Sequence, residues 1–238
     1  DTILISIIAV NNEVGTIQNI KALAKIAHDY GILFHTDAVQ ALGAIRLDVK
    51  DMEIDAMTMS AHKIYGPNGI GALYVKEGVQ IENLIYGGSQ ERNKRGGTLN
   101  VPAIAGFGKA VEIAVRDIMT VQQKVRNERE YFLRNVLEKI DYVKVNGHNH
   151  QKINGILNLS FEMVDKESLL MLLDLEGVAV STGSACTANS PLQSHVLKAM
   201  GLTDEMANSS IRFSFPKNLS KNDLDFAIEA LVKSVEKL

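Results

Sequence analysis

The spacing of hydrophobic residues changes several times along the first third of the chain. Short apolar runs near residues 3–10, in "ILFHTD" at 32–37, near 56–60 and near 70–75 have the length of buried strands. Helical spacing near residues 20–30 separates the first two runs. Strand, helix and strand in this order predict an α/β fold with a parallel, doubly wound sheet, in which ligands bind at the carboxyl ends of the strands.

The pattern changes after residue 100. From 101 to about 140, apolar residues recur at helical spacing among charged ones, which predicts one or two long helices. Strands "VKVNG", "GILNLSF", "VAVST" and "SSIRFSF" follow, with helices near 166–175 and 193–200 and a last helix from about Lys221, capped by Ser220. This second part predicts a separate α+β domain.

Composition narrows the classes of partner. The 238 residues are 46% hydrophobic and 22% charged, as in a globular protein. A net charge of −3 without a basic run predicts no nucleic-acid partner and no anionic membrane surface. The longest apolar run, "ILISIIAV", is far shorter than the roughly 20 residues of a membrane-spanning helix. A single cysteine, Cys186, excludes an internal disulfide, so we expect a cytoplasmic location.

Two polar residues lie where strands of the first predicted sheet end. Asp37, in "HTDAVQ", is suited either to keep a ring nitrogen protonated or to cap a helix. Lys63, in "SAHKIYGPNGIG", is either a solvated surface charge or an amine held for a Schiff base with a carbonyl group. Its neighbours Ser60 and His62 are suited to donate hydrogen bonds to a phosphate. The sequence alone leaves both pairs of alternatives open.

Other candidates lie outside those strand ends. Cys186, in the small polar stretch "STGSACTANS", is either an available nucleophile or an inert sole cysteine. Arg212 interrupts the alternation of "SSIRFSF" and either binds a carboxylate through two hydrogen bonds or covers an edge strand. Asn11 and Asn12, in "VNNEVG", suit a turn or donation to a phenolate or carboxylate oxygen. The histidines lack metal-ligand spacing, so we predict no metal site.

Together these motifs form a recognisable series. "VNNEVG", "HTDAVQALG", "SAHKIYGPNGIGALYV", "GGSQERNKRGGTLN", "STGSACTANS" and "NSSIRFS" occur in order and at sensible distances. The chain resembles the carboxyl-terminal portion of cysteine desulfurases, the NifS/IscS-like group of class V pyridoxal-phosphate enzymes. The resemblance implies the fold of type I PLP-dependent transferases, which is aspartate aminotransferase-like. Residues 1–110 would be the carboxyl-terminal part of the large PLP-binding domain, and 111–238 the linking helix and small α+β domain carrying the cysteine loop.

The resemblance implies that pyridoxal 5'-phosphate is the cofactor and that five residues of the first part hold it. Lys63 would carry it covalently, and it would also move the α-proton of the substrate. Asp37 would pair with the pyridine nitrogen and Gln40 would contact the ring oxygen. Ser60 and His62 would bind the phosphate group.

Four further residues acquire roles from the same resemblance. Thr98, in "GGTLN", would reach the phosphate bound by the partner subunit of a homodimer. Asn12 and Arg212 would hold the substrate carboxylate, with Asn12 also beside the cofactor. Cys186 would attack the sulfur of bound L-cysteine, which leaves L-alanine and a persulfide for iron–sulfur cluster assembly or thiolation. The sulfur acceptor would be a protein such as an iron–sulfur scaffold.

Three expectations limit this interpretation. A selenocysteine lyase or another class V enzyme would share many of these motifs. A non-catalytic fragment that only docks sulfur acceptors would keep the dimer surface and the cysteine loop. The chain opens almost directly in a core strand, without an initiator Met, so we expect it to start inside a domain. Relatives carry an upstream Gly/Thr turn and a ring-stacking histidine that are not in this sequence. We therefore expect the amino-terminal half of the enzyme to be needed as a partner.

Overall fold

The computed structural model describes residues 1–183 and 193–238, and it divides into two compact units. Unit 1 comprises Asp1–Val10 and Gln18–Ile118, and unit 2 comprises Asn11–Ile17 and Met119–Leu238. The chain therefore leaves unit 1 after its first strand, contributes a short segment to unit 2, and then returns to unit 1.

Unit 1 is built on a four-stranded sheet in the order β1-β2-β3-β4. Its strands are β1 (Leu4–Ile8), β2 (Leu33–Asp37), β3 (Ala56–Ser60) and β4 (Gly71–Val75). β1, β2 and β3 pair in parallel, as expected for an α/β fold, whereas β4 pairs antiparallel to β3. The connection over 61–70 is shorter than the dozen or so residues that a parallel crossover needs, so β4 has to return in the opposite direction.

The helices of unit 1 are α1 (Ile20–Asp29), α2 (Gln90–Asn93) and α3 (Val101–Arg116). α1 begins where the Asn19 side chain accepts a hydrogen bond from the Ala22 N–H, and it buries Ile20, Ala24 and Ala27. These residues recur at the spacing of one helical face. The predicted helix at 20–30 is thus confirmed, and it ends just before Gly31, whose φ of 68° is left-handed.

A buried carboxylate fixes the amino-terminal end of β3. Asp55 Oδ2 accepts hydrogen bonds from the Phe34 N–H at 2.9 Å and from His28 Nε2 at 2.7 Å, while Oδ1 accepts from Lys76 Nζ at 3.2 Å. Burial alone would raise the pKa of Asp55, but the bonds from His28, Phe34 and Lys76 outweigh it, so the pKa lies below its ordinary value. The carboxylate therefore ties α1, β2 and the end of β4 to one point.

Unit 2 contains a three-stranded antiparallel sheet in the order β5-β6-β7. The strands are β5 (Val143–Asn146), β6 (Ile156–Phe161) and β7 (Ser210–Ser214). The helices are α4 (Ile118–Lys139), α5 (Lys166–Leu175), α6 (His195–Ala199), α7 (Asp204–Asn208) and α8 (Lys221–Glu236). Every residue of β6 is buried, and Phe132, Leu159, Leu173, Ile211 and Leu231 belong to one apolar core.

Two local predictions for unit 2 have opposite outcomes. The start of the last helix is confirmed, because Ser220 and Asp223 form a reciprocal capping box at the first turn of α8. The strand predicted for "VAVST" is wrong. Only Ser181 pairs with β7, through an isolated bridge to Arg212, and residues 178–180 have no regular structure.

Within the described ranges, no helix has both the length and the apolar character needed to cross a bilayer.

Candidate active site

Lys63 lies in a one-turn 3₁₀ helix, Ala61–Ile64, that directly follows β3. Because residues three apart share a face of a 3₁₀ helix, Ala61 and Ile64 are buried together while His62 and Lys63 face outward. Among the described residues, the Lys63 amine has no hydrogen-bond or ion-pair partner. The fold thus presents a free amine at the carboxyl-terminal edge of the parallel strands.

Close packing holds this turn in place. The Gly66 N–H donates to the Ala61 carbonyl at 2.9 Å, and a Cβ added at Gly66 would lie 2.9 Å from that oxygen. Ala61 and Ile64 form an apolar cluster with Phe107 and Ala110 of α3. Gly66 is therefore required by the close approach of the Ala61 carbonyl, and α3 packs against the buried side of the turn.

Asp37 is the last residue of β2, next to β3 in the sheet. The two strands are in register from His35 to Asp37, with Asp37 opposite Thr58, so Asp37 and Ser60 end neighbouring parallel strands. Asp37 Oδ1 accepts a hydrogen bond from the Val39 N–H at 2.9 Å. Turns rather than a helix follow, so the helix-cap alternative gives way to an Asx turn. Gln40 lies in these turns, partly exposed.

Ser60 and His62 are joined at the same edge. Ser60 Oγ lies 2.8 Å from His62 Nδ1, and both groups lie within three residues of Lys63. Thr98 lies in the irregular stretch before α3 and is exposed. Its hydroxyl has no hydrogen-bond partner in the part of the chain that the structure describes. Unit 1 thus groups Asp37, Ser60, His62 and Lys63 by strand topology, whereas Thr98 stands apart in sequence.

Arg212 and Asn12 come together within unit 2. Arg212 Nη1 donates to the Asn12 carbonyl oxygen at 3.0 Å, while its buried Nε has no hydrogen-bond partner within residues 1–183 and 193–238. Burial lowers the pKa of Arg212, and the negative charge of nearby Glu13 partly offsets this effect. A partly buried guanidinium with an open, buried Nε donor is suited to an incoming carboxylate.

Glu13 is a buried residue of this region that the sequence did not mark as a candidate. Its residue surface is 3% exposed, and its carboxylate accepts a hydrogen bond from Ser194 Oγ at 2.5 Å. A charged residue inside the turn "VNNEVG" was the available signal, but acidic residues in turns are ordinarily solvated. Segment 11–17 is further tied to unit 2 by the Asn158 side-chain amide, which donates to the Glu13 carbonyl at 3.3 Å.

Cys186 lies outside the described residues, so its position is given by the sequence alone. Within the described ranges, no group of three or more histidine, cysteine or acidic side chains is arranged to hold a metal ion.

Known proteins resemble the chain over all or most of its length. A model of the aminotransferase class-V family matches residues 1–226. A cysteine desulfurase IscS of Dictyoglomus turgidum is 48% identical over 238 residues, covering 100% of this chain and 60% of that protein. A NifS-like protein from Rickettsia africae has a TM-score of 0.91 and 34% identity, covering 100% of this chain and 62% of that one. A solved structure of SspA in complex with cysteine has a TM-score of 0.75 and 36% identity, covering 91% of this chain and 59% of that one.

These matches confirm the resemblance to NifS/IscS-like cysteine desulfurases and the α/β fold that it implied. The chain spans about 60% of the length of the relatives it matches. Because the family model extends over residues 1–226, the chain belongs to the aminotransferase class-V family.

Proposed function

We propose that the protein containing this chain is a pyridoxal-phosphate-dependent cysteine desulfurase, which converts L-cysteine to L-alanine and passes the sulfur to Cys186. The observation that carries the proposal is the outward-facing Lys63 amine in the turn after β3, beside the strand that ends in Asp37. The names of similar proteins support it, because one is a cysteine desulfurase and another was solved in complex with cysteine.

The side chains of unit 1 fit this cofactor. An aldehyde needs a free amine, and Lys63 is exposed and unpaired among the described residues. A phosphate needs donors, and the Ser60 hydroxyl and His62 ring lie together on the same turn. A pyridine nitrogen that must stay protonated needs a carboxylate, and Asp37 Oδ1 has the Val39 N–H as its partner, which leaves Oδ2 to accept a further bond. We assign the ring-oxygen contact to Gln40.

Bound pyridoxal phosphate supplies an electron sink for the carbanion that forms when the substrate loses its α-proton. Lys63 is the group we assign to moving that proton, because an amine on a short, well-packed turn can be positioned within hydrogen-bond reach of the substrate. Because the Lys63 side chain is exposed, its amine is free to hold the cofactor at one stage and to take the substrate proton at another.

Substrate binding is assigned to unit 2. The buried Nε of Arg212 has no partner in the described part of the chain, so a substrate carboxylate would satisfy it and neutralise the charge of the guanidinium. Asn12 would help through its side-chain amide, while its carbonyl oxygen already orients the guanidinium through the 3.0 Å bond to Nη1.

Cys186 is assigned the sulfur-accepting role. Its thiolate attacks the substrate sulfur, the bond between that sulfur and the substrate β-carbon breaks, and the carbon fragment leaves as L-alanine after protonation. The persulfide would then pass to an acceptor protein, such as an iron–sulfur scaffold. We further propose a cytoplasmic homodimer in which Thr98 reaches the phosphate bound by the partner subunit.

The test uses protein expressed from the full reading frame that encodes the chain. We expect L-alanine from L-cysteine and a persulfide on Cys186, detected by intact mass. Cys186→Ser should lose the persulfide, and Lys63→Ala should lose L-alanine formation. Lys25→Ala is the matched control, because Lys25 is another exposed lysine of unit 1 and it should leave turnover unchanged. Full turnover by Lys63→Ala would contradict the proposal.

Two other results would replace the proposed function. Turnover of L-selenocysteine without turnover of L-cysteine would make the protein a selenocysteine lyase. Failure to bind pyridoxal phosphate, together with no turnover of either amino acid, would leave a docking module for sulfur acceptors.

A further inference from the structure

Glu13 is a buried carboxylate that acts electrostatically on Arg212, the residue assigned to the substrate carboxylate. Its carboxylate accepts the 2.5 Å hydrogen bond from Ser194 Oγ, and its residue surface is 3% exposed. Ser194 also caps α6, because its Oγ accepts from the Leu197 N–H at 3.2 Å. A buried carboxylate needs such partners, since an unsatisfied one carries a large desolvation cost.

Arg212 is within reach of the same carboxylate. Arg212 Nη1 is 3.0 Å from the carbonyl oxygen of Asn12, which belongs to the peptide group that joins Asn12 to Glu13. Standard peptide geometry then places Nη1 within roughly 6 Å of Glu13 Cα, a distance that a glutamate side chain can close. Although the structure describes both residues, it shows no hydrogen bond or ion pair between them, and Glu13 acts on Arg212 only through space.

This arrangement is unusual for a partly buried cation with a carboxylate nearby. The nearest favourable state for two such groups is a direct pair, because their attraction is strong away from water. Here the carboxylate is hydrogen-bonded to the Ser194 hydroxyl, and Arg212 Nε has no partner among the residues that the structure describes. The Ser194 hydroxyl thus occupies the carboxylate in place of Arg212.

We propose that Ser194 holds the Glu13 carboxylate away from Arg212, so that the guanidinium stays open for the carboxylate of the substrate. Ser194 is then a positioning residue for substrate binding, and Glu13 is the anion that its hydroxyl keeps from the place of the substrate carboxylate. This inference rests on the proposed function, since it assigns the substrate carboxylate to Arg212.

The proposal predicts effects of opposite kind for two neighbouring substitutions. In Ser194→Ala the carboxylate loses its partner and pairs with Arg212, so it competes with the substrate. The KM for L-cysteine should rise about tenfold, the worth of one charge-assisted hydrogen bond, with kcat almost unchanged. In Glu13→Gln no competing anion exists, so KM should not rise. Adding Ser194→Ala to Glu13→Gln should then have no further effect on KM.

Two variants control for the helix cap that Ser194 also provides. Ser194→Thr keeps the hydroxyl and should restore the wild-type KM. Thr203→Ala removes the cap of α7, which has the same length as α6, where Thr203 Oγ1 accepts from the Met206 N–H at 3.2 Å. Because Thr203 has no contact with Glu13 among its described hydrogen bonds, Thr203→Ala should leave KM unchanged.

A second readout separates this inference from the proposed function. The Nε–H resonance of Arg212, assigned by its loss in Arg212→Lys, is followed by NMR without substrate. It should move downfield in Ser194→Ala and stay in place in the double variant. Wild-type protein without cysteine turnover would overturn the proposed function, whereas this shift does not depend on turnover. An unmoved resonance and an unchanged KM in Ser194→Ala, or a KM in the double variant as high as in Ser194→Ala, would overturn the inference.

Discussion

Replacing Asp55 by Asn tests the buried carboxylate that joins α1, β2 and β4 in unit 1. The Asp55 side chain is 5% exposed, and it accepts three hydrogen bonds, from the Phe34 N–H, His28 and Lys76. An Asn side chain has similar volume but no charge, and it offers one acceptor oxygen in place of two. The substitution therefore changes electrostatics with little change in packing.

The expected cost follows from these contacts. Hydrogen bonds to charged groups contribute about 1.5–3 kcal/mol each, and the Lys76 side chain is 52% exposed, so solvent weakens its share. The bonds from Phe34 and His28 dominate, and we expect a loss of about 2–4 kcal/mol in the free energy of unfolding. This corresponds to a fall of roughly 5–15 °C in Tm.

Asp51→Asn is the matched control. Asp51 also pairs with a lysine, Lys21, at 2.6 Å, but its side chain is 63% exposed. An exposed pair contributes about 0–1 kcal/mol, so Tm should change little. Thermal unfolding of both variants, followed by circular dichroism, makes the comparison. Equal losses for Asp51→Asn and Asp55→Asn would refute the argument that burial of the carboxylate sets its contribution.

The difference between wild type and Asp55→Asn should also depend on pH. The pKa of Asp55 is lower in the folded chain than in the unfolded one, so its contribution is complete above the unfolded pKa of about 4. It is lost as the pH falls through the folded pKa. The gap in Tm should therefore be constant near neutral pH and shrink below about pH 4. A gap that widened on acidification would contradict this sign.

The remaining predictions concern backbone approach and helix capping. Gly66→Ala places a Cβ 2.9 Å from the Ala61 carbonyl, so it should displace the lysine turn and weaken retention of pyridoxal phosphate on dialysis. Gly108→Ala in α3 meets no atom within 4 Å and should be neutral or stabilise by about 0.5–1 kcal/mol; equal retention in both variants would count against the packing argument. Ser220→Ala removes the capping box with Asp223 and should cost about 1 kcal/mol in denaturant unfolding, whereas no change would show that α8 does not depend on its cap.

Periodicity predicted most elements of the fold because their signals are local. The strand at 56–60 and the helix at 166–175 have the bounds that the structure shows, since apolar spacing and flanking polar residues mark both ends. The antiparallel direction of β4 was not predicted, because the spacing of apolar residues does not give the direction of a strand. The short connection between β3 and β4 accounts for it. "VAVST" has strand composition, but only Ser181 finds a pairing partner.

The candidate site was predictable to the extent that motifs mark it. Strand ends in the sequence located Asp37 and Lys63, and the structure places Asp37 at the end of β2 and Lys63 in the turn after the neighbouring strand β3. The assignment of segment 11–17 to unit 2 was not predictable, because it depends on contacts with residues more than a hundred positions away, such as Asn158. A contact of the same long range explains why the signal of Glu13 was weak, because its hydrogen-bond partner Ser194 lies 181 positions away.

The most direct test of the central claim is to locate the covalent link between cofactor and protein. Protein from the full reading frame is loaded with pyridoxal phosphate, reduced with borohydride, digested, and its peptides are mapped by mass spectrometry. The account predicts one phosphopyridoxyl group per chain, on Lys63, which is exposed on the turn after β3. A label on another lysine, or loaded protein without any reducible link, would contradict it.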